Sequence, residues 1–257
     1  MAKPNSAASD RQKVIDDLRR KQKRSANRQG TLILAVCIAI AVAVIGAVSI
    51  PIIKDKISAN KWKGKALSSV GAAATVCQPI TTKVANGVQQ HVAQGTTVTY
   101  DTAPPAYGKH WNVAGLAPAP IDQRFYSTSE ALPLEVLVHN LEHGYTILWY
   151  DDTIAKDSKL LDEVKGMASI LDANDTNNRL SFKATPWLSK YESQIKDHAT
   201  FPSGEHIAFT HWTAGQNNKA LGVFQYCSAP SGAALQTFMD KYPYTDAPEP
   251  IGGYAGQ

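Results

Sequence analysis

The residues of this chain with the densest chemistry are imidazoles. All seven histidines lie beyond residue 90, and four of them fall within 91–143: His91, His110, His139 and His143. The tightest string is Val138-His139-Asn140-Leu141-Glu142-His143-Gly144. On a helix, His139 and His143 stand four residues apart and stack on one side. Two imidazoles so placed can chelate one divalent metal. Zinc or copper suits such ligands, and spacing does not choose between them. The string also reads as H-x-x-E-H, the inverted zincin motif, in which the Glu polarises a zinc-bound water. On that reading Glu142 is the catalytic base, and Glu192 or Glu205 is the third ligand by distance along the chain. A plainer reading has His139 bonding a neighbouring loop at a helix end and Glu142 forming a salt bridge. His198, His206 and His211 are scattered, and a satisfied structural role accounts for each.

The elements that must position these groups are mixed. Leu134, Leu137, Val138 and Leu141 recur at helical spacing, so the histidine string predicts a helix, and Gly144 fits its C′ position. Tyr145–Tyr150 is rich in aromatic and β-branched residues and predicts a strand. Further strands are predicted at Thr96–Tyr100, Arg179–Ala184, Ile207–Thr213 and Leu221–Tyr226. Amphipathic helices are predicted at Ser158–Leu171 and Ala233–Lys241. Asp101–Ile121, dense in Pro and Gly, predicts an ordered loop. The expected fold class is α+β, a small mixed or antiparallel sheet with packed helices, preceded by one transmembrane helix.

That transmembrane expectation comes from Thr31–Ile50, twenty residues without a charge, with the apolar run continuing to Ile53. Such a length suffices to cross a bilayer core. Residues 1–30 carry nine Lys or Arg against three Asp, whereas the remainder carries 17 basic and 19 acidic side chains. The net charge of +4 therefore belongs to the tail. By the positive-inside rule the tail faces the cytoplasm and the rest lies outside a plasma membrane, as a single-pass signal-anchor protein. The expected organisation is a basic tail over 1–30, a membrane helix over 31–53, a stalk over 54–75, an external domain over 76–246 and a flexible tail over 247–257. Trp62 reads as an interfacial anchor. The lipid bilayer is then one partner and an envelope or membrane protein another, and nucleic acid is not expected.

Of the three cysteines, Cys37 falls in the apolar run, where a thiol behaves as a small apolar group. Cys77 and Cys227 remain, near the two ends of the domain. In an oxidising exterior they predict a structural disulfide closing a loop of roughly 150 residues, nominally worth about 4–5 kcal/mol. No C-x-x-C, G-x-S-x-G or Gly-rich phosphate loop occurs. Asp172 to Thr176 begins like a calcium loop but has Asn177 and Lys183 where Gly and Glu are needed, so it reads as a turn. Asn174-Asp175-Thr176 is also a glycosylation sequon.

Three blocks carry a resemblance. The first is His91-Val92 with Gly95, Val98 and Tyr100. The second is Pro104-Pro105-Ala106-Tyr107-Gly108-Lys109-His110. The third is Glu135-Val136-Leu137-Val138-His139-Asn140-Leu141-Glu142-His143-Gly144. With them the chain resembles an uncharacterised family of mostly actinobacterial membrane-anchored proteins, known only as a domain of unknown function. Its pattern runs H-V-x-x-G-x-x-V-x-Y, P-P-x-S-G-x-H and E-x-L-V-H-N-L-E-H-G. Tyr107 stands where that pattern has Ser. The resemblance implies one N-terminal membrane helix and treats the four histidines as a unit. It implies no reaction.

The functional expectation is a membrane-anchored extracytoplasmic interaction or accessory module. The alternative is a zinc- or copper-binding module using His91, His110, His139 and His143. A metallohydrolase with Glu142 as base ranks third.

Overall fold

The computed structural model describes residues 6–85, 89–172, 181–215 and 219–251. Within its first helix, side chains at 6–12, 14, 25–26, 29–30 and 48–60 lie outside the described set. The chain divides into two compact units, Met1–Ile57 and Ser58–Gln257.

The first unit is helical, and helix α1 runs Ser6–Trp62. The transmembrane helix expected over 31–53 is not supported: among the described residues, no helix is long and apolar enough to cross a membrane. The described apolar side chains run from Thr31 to Ala47, with Leu32 to Ile45 exposed. That stretch rises roughly 25 Å, against about 30 Å for a hydrocarbon core. The single-pass plasma-membrane placement, the lipid bilayer as partner and the anchored interaction module rested on that helix and fall with it.

In the second unit, strands β1 (Thr81–Val84), β4 (Thr146–Tyr150), β5 (Phe182–Pro186), β6 (Ile207–Thr213) and β7 (Leu221–Cys227) form one mixed sheet in the order β1-β7-β6-β4-β5. Within this sheet β4 and β5 pair in parallel and the other neighbours are antiparallel. The crossover between β4 and β5 contains α3 (Asp152–Lys156) and α4 (Ser158–Asp172), as parallel neighbours require. Alternation along β4 sends Ile147 and Trp149 to one face and Leu148 and Tyr150 to the other. On the second face, Val164, Met167 and Leu171 of α4 and Leu235 and Phe238 of α5 (Gly232–Lys241) cover the sheet. On the first face lies α2 (Leu134–Glu142), whose Leu134, Leu137, Val138 and Leu141 pack with Trp149 and Trp212. The domain is thus a mixed α+β sandwich with helices on both faces of the sheet.

A small ribbon stands apart: β2 (His91–Val92) and β3 (His110–Trp111) pair in parallel, His91 opposite His110. The loop expected over Asp101–Ile121 therefore contains a strand. Thr96–Tyr100, expected as a strand, is not one. Its backbone is held by Glu135 Oε1, which accepts from Val98 N at 2.9 Å, and by one bridge from Tyr100 to Ile195.

Cys77 and Cys227 are disulfide-bonded, 150 residues apart. Of the expected stalk, residues 58–75 belong to the second unit. Trp62 is buried against Gly166 of α4, where an added Cβ would lie 2.5 Å from the indole. It fills a space that only glycine leaves open, and this replaces its reading as an interfacial anchor. At the other end, Glu249 N donates to Glu142 O at 3.0 Å and Ile251 N to His143 O at 3.3 Å. The segment expected to be flexible is tied down as far as Ile251. The calcium-like turn beyond Asp172, with its sequon, and residues 252–257 lie outside the described residues.

Candidate metal centre

Three elements converge on one point. The β2–β3 register sets His91 beside His110, their rings edge-on at 4.9 Å between centroids. Helix α2 supplies His139 and Glu142, one turn apart, from its last turn. A bond from His139 Nδ1 to Trp111 O, 2.6 Å long, ties the helix to the ribbon. Donor atoms of His91, His110, His139 and Glu142 all lie within 4.8 Å of one another. Three of the four residues are buried, and the side chain of His91, 44 % exposed, is the outermost.

The hydrogen bonds fix the ring tautomers. A carbonyl oxygen can only accept, so a ring nitrogen beside one must carry the hydrogen. His110 Nδ1 donates to Gly108 O at 2.8 Å, His139 Nδ1 to Trp111 O, and His143 Nδ1 to Glu249 O at 2.7 Å. In the neutral rings, all three Nε2 atoms are therefore bare acceptors. His110 Nε2 faces Glu142 Oε2 at 2.8 Å, and His139 Nε2 faces His143 Nε2 at 3.0 Å. In that state acceptor faces acceptor twice, an arrangement that a proton on one partner or a shared metal cation relieves. Backbone carbonyls holding the far nitrogens of imidazoles are the outer-shell pattern of histidine ligands.

Protonation runs the same way. Burial, then the neighbouring charges of His110 and His143, push the His139 imidazole down to about 4. Burial would raise the Glu142 carboxyl, but the hydrogen bond and charge of His110, with His139 and His91 behind, hold it below the usual carboxylate range. Near neutral pH, His139 is neutral and Glu142 is anionic, as metal ligation requires. A buried His/Glu cluster with the donor set for a metal ion is therefore present.

Of the four histidines expected as one unit, three fall in this group. His143 caps α2 and groups instead with Glu142 and Glu249. Its position depends on Gly144 (φ 88°), where a Cβ would meet Tyr244 O at 2.3 Å, so the chain turns tightly beneath it. Glu192 and Glu205, the expected third hydrolase ligands, belong to neither group among the described residues. Glu142, read as a base, is packed against His110 with a side chain only 2 % exposed. Tyr107 packs its ring on Trp212 and over Gly222.

Sequence reasoning missed two residues. Glu249 was placed in a tail, and only its setting in Pro248-Glu249-Pro250 singles it out. Lys183 is fully buried on β5. Its Nζ donates to Pro120 O at 2.5 Å and Gln123 O at 2.9 Å. Burial, with Arg124 nearby, lowers its ammonium to about 7. Lys183 pins the 118–123 loop beside the centre.

The family model described as "Protein of unknown function (DUF3105)" matches residues 91–252, well over half of the chain. The chain belongs to that family. The match begins at His91 itself and closes just beyond the segment that holds His143, so every group of the cluster lies inside it. It leaves out α1, and the membrane anchor carried in with the resemblance finds no support in the described residues. No curated protein and no solved structure matches the chain.

Proposed function

We propose that this chain is a histidine-based metal-binding module holding a divalent first-row transition ion at His91, His110, His139 and Glu142. The observation that supports the reading is the convergence of four ligand atoms, one each from His91, His110, His139 and Glu142, all within 4.8 Å of one another, with three of the four residues buried. Three neutral imidazoles and one carboxylate make a four-coordinate nitrogen-rich set, which zinc accepts without redox demand. Copper(II) is the second candidate, by its higher general affinity for such donors.

Metal analysis of the purified full chain tests this, wild type against His110→Ala combined with His139→Ala. Wild type retains zinc or copper through dialysis, and the double variant does not. Chelated wild type that neither binds nor is stabilised by Zn(II) or Cu(II) overturns the reading.

A further inference from the structure

His143 stands outside the group of four, and its environment is unusual. Its Nδ1–H is committed to Glu249 O, so in the neutral ring its Nε2 is an acceptor, and that atom faces Nε2 of His139 at 3.0 Å. An ion held by His91, His110, His139 and Glu142 satisfies His139 and leaves His143 unanswered. The donors that do converge with His143 are carboxylates: Glu142 and Glu249 lie with it in a second group whose ligand atoms are all within 4.8 Å.

We propose that Glu142, His143 and Glu249 form a second metal position that shares Glu142 with the first. This rests on the reading of the first group as a metal site. A carboxylate has two oxygens and about four lone-pair directions, so Glu142 can serve both ions. A shared carboxylate typically holds paired ions about 3.5–4 Å apart.

The chain builds the second position deliberately. Glu249 N donates to Glu142 O, Glu249 O accepts from His143, and Ile251 N donates to His143 O. Three bonds lock the segment after Pro248 against the end of α2, and that lock sets where the Glu249 carboxylate begins. The two positions differ in character. His110, His139 and Glu142 are buried, whereas His143 and Glu249 are half-buried. A cleft of about 390 Å³, lined by Pro118, Pro120, Tyr145, Pro250 and Ile251, opens directly beside His143. One nitrogen and two carboxylates form a harder donor set than three imidazoles and one. The outer position therefore takes zinc, manganese(II) or iron(II) more weakly, exchanges it faster, and exposes it to ligands entering the cleft.

The test is calorimetric titration of the chelated full chain with Zn(II) alone, checked by metal analysis. Wild type binds two equivalents, the second about tenfold or more weaker. Glu249→Gln, which keeps every backbone bond of the segment, loses the second equivalent and keeps the first, and His143→Gln does the same. His110→Ala with His139→Ala removes the tight equivalent. Wild type saturating at one equivalent, or Glu249→Gln still binding two, overturns the second position and leaves the first standing. No binding at all overturns both. Copper(II) loading reports the sharing: at two equivalents the paramagnetic signal falls below twice that at one, through coupling across Glu142. A signal of fully twice the intensity overturns the shared carboxylate.

Discussion

The face of the sheet under α4 and α5 and the face under α2 are both buried, yet they are made of different material. Helices α4 and α5 turn apolar stripes inward and polar side chains outward, and their packing with Leu148, Phe209 and Val223 is almost wholly hydrocarbon. Helix α2 has no outward face, for all nine of its residues are buried. Its four polar side chains each bind something. Glu135 accepts from Val98 N and Gln194 Nε2. Asn140 exchanges two hydrogen bonds with the backbone of Ala119. His139 and Glu142 enter the cluster. A buried polar group costs stability unless it is partnered. The α2 face therefore holds loops and a charged centre in place, while the α4/α5 face supplies cohesion.

The sharpest test of that contrast is truncation on the cohesive face. Phe238→Ala destabilises the domain by about 3–5 kcal/mol, equally with and without metal, as read by denaturant unfolding. On the α2 face, Asn140→Ala strands both the N–H and the C=O of Ala119 and costs about 2–4 kcal/mol. Its further mark is increased hydrogen exchange near Ala119. Zinc at a hundredfold excess over its dissociation constant stabilises wild type by about 2.7 kcal/mol. That gain persists in Phe238→Ala and vanishes in His110→Ala with His139→Ala. If metal stabilises the double variant equally, the contrast between the faces breaks.

The smallest effect is in pH. The folded His139 imidazole sits at about 4 against 6.5 for its ordinary value. Between those values the unfolded chain binds the proton and the folded chain does not. The stability is fully present above about pH 6.5 and is lost as pH falls toward 4, on the order of 2 kcal/mol. His139→Gln flattens that slope in the chelated protein, and the depressed Glu142 carboxyl adds a further loss at lower pH.

Much of the cohesive face was legible in sequence. Strand β6 occupies the predicted Ile207–Thr213, and α4, α5 and β7 lie within a residue or so of expectation, because apolar periodicity is local and hydrocarbon needs no particular partner. The α2 face was legible only in part. Its helix followed from four leucine and valine positions, but the destinations of its polar groups did not. The β2–β3 ribbon is only two residues long in each strand, too short to leave a pattern. Thr96–Tyr100 carried strand propensity, yet the backbone of Val98 found Glu135 instead. The apolar run at 31–53 was read from its length, its lack of charge and its basic flank, and the described part of it falls short of a span.

By itself, the sequence determined the mixed α+β class, the apolar helical stripes, the reach of Cys77 to Cys227 and the set of residues from which a metal centre can be drawn. Residue type and period are properties of the chain. The tertiary structure alone decided that Glu142 takes the place expected for His143, that His143 pairs with a glutamate over a hundred residues away, and that Trp62 belongs to the core. Ligand geometry is set by where separate elements meet to within an ångström, and that distance depends on the packing of the whole sheet.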